Sequence, residues 1–465
     1  MHHYHTNHRP IRRSRSVDML HGPIGSQLVL FALPLALTGI LQQLFNAADV
    51  AVIGRFVGKN AMAAVGSNAS VISLLLNLFV GISLGANVVI SKFIGQQERE
   101  GVRRAVHTSV VVAVISGLFL TLLGELLTGP IIRWMGVPAE IEGMSETYLR
   151  VYLLGMPVIL LYNFESAIFR SKGDTRTPLM CLIVSGIANV VLNLILVLVA
   201  HLDVAGVAIA TVTSNLIGAG MLLFSLLRDQ GDVSVRWREL RIDPVVLREM
   251  LRIGVPSGVQ SMMFSLSNIL IQFAINSLGA EVMAASSAGF NIEVMAFYVT
   301  SSFGSACTTF VGQNFGAWQL GRCRRVTRIS MIQNVLFSAC ISLGILLFAR
   351  PLLRIFNQDP AVLDYGVTRL WYILLVQPLN AVIEIISGSM RGYGRSLEPA
   401  LVSLFGICGV RILWVCTGFR RAGTYAALLA AYPMSWAVTA AALAVLYFAV
   451  MLRQWRQWNS SKRQI

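Results

Sequence analysis

Apolar runs long enough to cross a bilayer follow one another along almost the whole chain, at residues 26–53, 61–88, 105–128, 147–170, 178–200, 204–227, 246–277, 281–306, 326–349, 364–389, 399–419 and 424–452. Each reaches the roughly 20 residues that an α-helix needs to span hydrocarbon, and short polar stretches separate them. The pattern predicts an all-α polytopic membrane protein of twelve transmembrane helices. The first run is too long for the core of a cleavable signal peptide and leads into further spans, so it is expected to stay as a helix. Pro34, Pro157, Pro256 and Pro378 fall inside runs and are expected to kink them.

The pattern repeats at a spacing of 221 to 222 residues. Pro34 matches Pro256, Asn46 matches Asn268, Met62-Ala63-Ala64 matches Met283-Ala284-Ala285, and Pro157 matches Pro378. The turn Arg170-Ser171-Lys172-Gly173 with Pro178 returns as Arg391-Gly392-Tyr393-Gly394 with Pro399, and Phe93-Ile94-Gly95-Gln96 returns, with a few residues of slippage, as Phe310-Val311-Gly312-Gln313. Six spans per copy is an even number, so both copies enter the membrane in the same direction. The expected architecture is therefore two six-helix lobes related by a parallel pseudo-twofold repeat about the membrane normal. The expected divisions are a tail at 1–25, an N-lobe at 26–227, a linker at 228–245, a C-lobe at 246–452 and a tail at 453–465.

Composition narrows the class. The chain is 55% hydrophobic and 13% charged, with a net charge of +15. Such a charge suits nucleic acid, but the basic residues sit in short segments between apolar helices and no basic domain stands outside them, so no nucleic-acid partner is expected. If the N-terminus is inside, Lys and Arg favour the inside segments about three to one, which places both termini in the cytoplasm. Cys181, Cys307, Cys323, Cys340, Cys408 and Cys416 show no metal spacing and read as small hydrophobes. His2, His3, His5 and His8 lie in an Arg-rich polar stretch that reads as disordered.

Chemistry concentrates where the repeats disagree. Asp49 is a lone carboxylate within the first span, preceded by Gln42, Gln43 and Asn46, and an acid at that depth is tolerated only beside a cavity or a partner. The second copy has Ile271 in its place, Val410 and Trp414 against Asn189 and Asn193, and Tyr432 against Thr211. At about 1.5 Å of rise per residue, Asp49, Asn193 and Thr211 all fall in the outer half of the bilayer. Asn189 and Asn193 are one turn apart. One carboxylate, two amides and a hydroxyl suit a small cation such as Na⁺, or a proton. Interhelical hydrogen bonding explains each of the neutral residues singly. Glu293 and Arg411 both come near the midplane and are expected to face each other, whereas Glu165 and Glu384 are expected to pair with Arg170 and Arg391.

Two six-helix lobes, the acid of the first helix, Gly95-Gln96, Gly312-Gln313-Asn314-Phe315-Gly316-Ala317 and the Arg-to-Pro turns together resemble the multidrug and toxic compound extrusion (MATE) family, from Gly22 to about Trp455. The resemblance implies cation coupling at Asp49 with Asn189, Asn193 and Thr211. The sequence departs from some members in having Asn193 where they carry an acid, and in holding no acid between Pro256 and Ile275. Glu293 resembles an acid on the eighth helix of many bacterial members.

The function expected is therefore an efflux antiporter in a bacterial inner membrane. It would act as a monomer among lipids, without a cofactor, exporting amphipathic, cationic organic compounds against H⁺ or Na⁺. Gln42, Asn46, Met262, Met263, Phe290, Glu293, Met295, Phe297 and Arg411 are the expected cavity lining, since adaptable side chains accept varied ligands. A flippase of lipid-linked precursors would need a strongly cationic cavity, and only Arg411 offers itself. A membrane-embedded enzyme would need clustered His and Asp or metal ligands on its helices, and the sequence has none.

Overall fold

The computed structural model describes residues 16–462. Helices fill it, and no strand occurs among the described residues. In chain order they are α1 (Ile24–Phe56), α2 (Lys59–Gln96), α3 (Arg99–Trp134), α4 (Ala139–Leu154 and Met156–Ser171), α5 (Arg176–Val199), α6 (Asp203–Leu227), α7 (Pro244–Asn276), α8 (Ala280–Gly316), α9 (Leu320–Leu347), α10 (Pro360–Leu374 and Gln377–Gly392), α11 (Leu397–Ala422) and α12 (Tyr425–Met451). The final helix continues without a break to Lys462, through residues expected to form a tail. His2, His3, His5 and His8 lie outside the described residues.

The prolines divide into two kinds. Pro34 and Pro256 sit inside unbroken helices. Pro157 and Pro378 open the second pieces of α4 and α10, which bend by 49° and 40°. A proline in the first turn lacks an N–H that would have no helical partner anyway, so it marks a restart at no loss of hydrogen bonding.

The two halves of the chain meet first along α2 and α7, through glycines spaced four apart on both helices. A methyl group placed on Gly81 would stand 2.2 Å from the backbone N of Gly258, and one on Gly85 would stand 2.2 Å from the Met250 carbonyl oxygen. On the other side, Gly254 faces the Cα of Ile82 and Gly258 faces the backbone of Leu78. Two helices with small residues every fourth position can bring their backbones into direct contact, which yields packing energy where lipid tails supply no hydrophobic drive. α8 joins the same seam: Gly95 of α2 abuts the Gln313 carbonyl, and Gly316 abuts that of Lys92.

Polar contacts between the halves follow this seam. Asn77 bonds Ser265 at 2.9 Å, Thr309 bonds Asn87 at 3.0 Å, Lys92 bonds Glu249 at 2.6 Å, and Gln313 donates to the Ser171 carbonyl at 2.6 Å. All lie between mid-helix and the face where α1 starts and α12 ends, hereafter the terminal face. Beyond Asn77 and Ser265, towards the far face, no hydrogen bond joins the two halves among the described residues.

Residues 17–22, expected to belong to a loose polar tail, are instead folded into the terminal face. Met19 is buried, and its carbonyl accepts from Asn314 at 3.0 Å and from Arg322 at 3.3 Å, while the Val17 amide donates to Gly173 at 3.1 Å. The connection after α6 also packs down: Val233 and Val235 are buried, and the Arg236 amide donates to His107 of α3 at 3.0 Å. It ends on Asp243, which caps α7 by accepting from Val245 and Val246 at 2.9 and 3.1 Å. Those amides, with Arg104 beside them, hold the Asp243 carboxyl below the usual carboxylate range.

Because the seam has no room for a side chain, Gly81→Val should lower the unfolding free energy by about 1–3 kcal/mol, the usual effect of overpacking. Thermal unfolding in detergent reads this out; an unchanged melting temperature would mean that the seam is slack.

Candidate functional site

Asp49 lies in the last third of α1, buried, with its carboxylate turned towards α5 and α6. Asn193 Nδ2 donates to its Oδ1 at 2.5 Å and Thr211 Oγ1 to its Oδ2 at 3.3 Å. The same Asn193 amide group donates to Asn189 Oδ1 at 3.3 Å. The four residues singled out from depth and repeat comparison thus form one hydrogen-bonded set, and it lies in the part of the bundle where the halves are not linked.

Local sequence explains the placement. Asn189 and Asn193 share a face because they are four apart, and Phe45 of α1 packs onto Gly186 one turn earlier, where no side chain holds the helices apart. Directly after Asn193 and Leu194, α5 passes into a π-helical stretch, Ile195–Val199, a local widening often found at functional positions. Asn193 Oδ1 is buried without a hydrogen-bond partner. Every neutral contact to Asp49 comes from a side chain that also carries an oxygen. Among the described residues no cluster of His, Cys, Asp and Glu is suited to a transition metal. An all-oxygen donor set with one carboxylate suits H⁺ or Na⁺ instead.

The other expected residues are distributed as follows. Gln42 and Asn46 are exposed on the Asp49 face of α1, two turns and one turn before it respectively. Met262 and Met263 of α7 are half-buried. Phe290, Met295 and Phe297 of α8 are exposed, Phe290 and Phe297 two turns apart on one face and Met295 on another.

Glu293 does not pair with Arg411. Its partner is Arg369 of α10, whose Nη2 and Nε donate to Oε1 and Oε2 at 2.6 and 3.1 Å, both residues being buried. The reason is packing order: α10 lies against α8, whereas the middle of α11 lies against α7 and α12. Arg411 instead bonds Asn268 Oδ1 at 3.0 Å and Ser435 Oγ at 3.3 Å and stacks 4.3 Å from the Tyr432 ring. Arg369 lies inside the run 364–389, five residues from its start, and sequence reasoning did not single it out; the one signal for it is an Arg followed by the apolar Leu370, Trp371 and Tyr372.

Glu384 approaches Arg391 at 3.7 Å, as expected, but both carboxylate oxygens of Glu165 are buried without a partner. Helix geometry accounts for the difference. Seven residues return almost to the same face, while the five from Glu165 to Arg170 turn about 140° away.

The MatE family model matches residues 34–195 and again residues 256–416. The chain belongs to the MATE family. The double match falls at the repeat spacing, each copy beginning at its proline, Pro34 and Pro256. Among similar MATE relatives, the probable multidrug resistance protein NorM of Thermotoga maritima is 30% identical over 399 residues, covering 84% of each chain. The probable multidrug resistance protein YoeA of Bacillus subtilis is 31% identical over 395 residues, covering 82% of this chain and 84% of its own. A MATE transporter solved in complex with MaL6 superposes with a TM-score of 0.88 at 19% identity, over 94% of this chain and 98% of that one, and so shares the twelve-helix fold. The protein is accordingly a bacterial-type MATE efflux transporter of the inner membrane and not an enzyme.

The Glu293–Arg369 pair yields a test of its own. Removing either charge (Glu293→Gln or Arg369→Gln) should destabilise the MATE fold by about 3–5 kcal/mol by stranding the other, whereas the double substitution should fall well short of the sum. A double mutant destabilised by the sum of the two single effects, in the same unfolding assay, would show that the two charges are not coupled.

Proposed function

We propose that this MATE protein is an antiporter, acting as a monomer, that exports amphipathic organic compounds, cationic ones included, in exchange for H⁺ or Na⁺ taken up at Asp49. The observation that carries this reading is the company Asp49 keeps. A buried carboxylate whose hydrogen-bond partners are the neutral Asn193 and Thr211 has no fixed countercharge, so its charge has to be met by a mobile one. The names of the NorM and YoeA relatives support drug-like cargo.

The sign of the basic residues supports a cytoplasmic terminal face, and the lack of linkage beyond Asn77 and Ser265 supports a form open to the outside. Asp49 would then take its ion from the outer side while cargo leaves. Neutralising the acid changes the affinity of the α1, α5 and α6 contacts for one another, and an ion can bias a conformational equilibrium only through such differential affinity. Return to the outward form follows release of the ion inside.

Asp49→Asn should give a folded, inserted protein, because it keeps the shape and removes a buried charge, yet it should abolish gradient-driven export. Asn193→Ala should be milder because the titrating group stays, shifting ion affinity by about ten- to a hundredfold, the size of one hydrogen bond to a charged group: upward for H⁺, since the ionised carboxylate loses a donor, and downward for Na⁺, which loses an amide oxygen. Proteoliposomes with pH and Na⁺ gradients imposed separately give both readouts and name the ion. Wild-type export by Asp49→Asn under both gradients would remove Asp49 from coupling.

A further inference from the structure

Two arginines are buried in the second half, and they are engaged differently. Arg369 places Nε and Nη2 on the two oxygens of Glu293, so that carboxylate is fully matched. Arg411, only 4% exposed, has no carboxylate within ion-pair distance among the described residues. Its Nε donates to Ser435 and its Nη1 to Asn268, its plane lies over Tyr432, and its Nη2 makes no hydrogen bond. The Glu293, Arg369 and Arg411 cluster thus has one positive charge in excess, with a free face of the guanidinium attached to it. An arginine serving only as a packing device would be expected to resemble Arg369, with its charge answered within the protein.

The location of Arg411 is the second observation. Asn268, Arg411, Tyr432 and Ser435 stand on α7, α11 and α12, the repeat counterparts of the α1, α5 and α6 that carry Asp49, Asn189, Asn193 and Thr211. Asn268 is the counterpart of Asn46, Tyr432 of Thr211 and Ser435 of Ser214, and Arg411 is the residue after Val410, the counterpart of Asn189. Both sites also share a backbone feature. Arg411 occupies the short α stretch Val410–Trp414 between π-helical Leu404–Gly409 and Val415–Phe419, much as Asn193 precedes the π stretch of α5. Asn268, which holds the guanidinium, is exposed and lies past Ser265 on α7, in the part of the bundle where the halves are not linked.

We propose that Arg411, positioned by Asn268, Ser435 and Tyr432, binds an oxyanion, a carboxylate or phosphate group, on the transported molecule, so that the cargo is anionic or zwitterionic. This rests on reading the chain as an exporter, and it narrows the amphipathic cargo to molecules that bear a negative group, with a positive group alongside it in the zwitterionic case. A planar guanidinium presents paired N–H donors that fit carboxylate and phosphate oxygens, and a charge-assisted contact of this kind is strongest away from water. The repeat thus builds two sites on one scaffold, with a negative side chain in the first half and a positive one in the second.

The test is equilibrium binding to purified protein in neutral-lipid nanodiscs, with no gradient, using two matched fluorescent pairs. One pair is a xanthene dye with a free carboxylate and its methyl ester; the other is FMN and riboflavin. Wild type should bind the carboxylate form, FMN, or both at least tenfold more tightly than the uncharged partner, and Arg411→Gln should erase that preference while leaving the affinity for ester and riboflavin within about twofold. Preference in the dye pair alone assigns a carboxylate, and preference in the FMN pair alone assigns a phosphate. Asn268→Ala, which keeps the charge and frees the fork, should reduce the preference about threefold or more, and it stands in if Arg411→Gln does not fold. Equal binding within both pairs in wild type overturns the proposal. So does a preference that survives Arg411→Gln or, if that variant does not fold, Asn268→Ala. Because the assay carries no gradient, its failure leaves the Asp49 coupling experiment untouched, and loss of coupling likewise leaves these affinities to be read.

Discussion

The contact of bare backbone on bare backbone between α2 and α7 fixes where everything else can be. With Gly81 and Gly85 set against Gly254 and Gly258, the halves are held together near the terminal face, and α8 completes the join through Gly95 and Gly316. Outside that glycine contact, α1, α5 and α6 carry Asp49, Asn189, Asn193 and Thr211, and α11 carries Arg411, while α7 serves both the join and, through Asn268, the Arg411 cluster. Asp49 and Arg411 lie beside the part of the bundle where, among the described residues, no hydrogen bond joins the halves. Small residues thus do more for this transporter's architecture than its hydrophobic mass, which faces lipid as readily as protein.

Charge inside the bundle obeys one rule with several outcomes. Glu293 is answered by Arg369 at hydrogen-bond distance, Glu384 by Arg391 at 3.7 Å, and Asp49 only by an amide and a hydroxyl. The first arrangement is stable in itself. Under the proposed coupling, that of Asp49 is stable only when something that can leave again supplies the missing charge, which is the condition for a group to report on an ion gradient.

Much of this was legible in the chain, and the failures have identifiable causes. The spans, the even repeat and the family followed from hydropathy and internal similarity. The Asp49, Asn189, Asn193 and Thr211 set followed from counting residues along helices whose ends the hydropathy had already located. Pairing between helices was less accessible. Glu293 and Arg411 share a depth, but depth does not say which helix is next to which, and Arg369, close to the start of its run, did not stand out as a residue of the membrane interior. Glu165 was given to Arg170 on sequence proximity, although five residues on a helix point in different directions. The Gly81–Gly85 and Gly254–Gly258 spacings stood in the sequence unremarked, because a small-residue motif declares a close approach without declaring its partner. Residues 17–22 read as tail because their partners are distant in sequence.

That last segment has a consequence for how the protein is made. The carbonyl of Met19 is held by Asn314 and Arg322, separated from it by 295 and 303 residues. While α1 to α7 are being inserted those donors do not yet exist, so residues 17–22 have only their contact with Gly173 and the Met19 carbonyl goes unanswered by Asn314 and Arg322. Sealing of the terminal face is therefore a late event in biogenesis, set by the arrival of α8 and α9 rather than by the assembly of the first half.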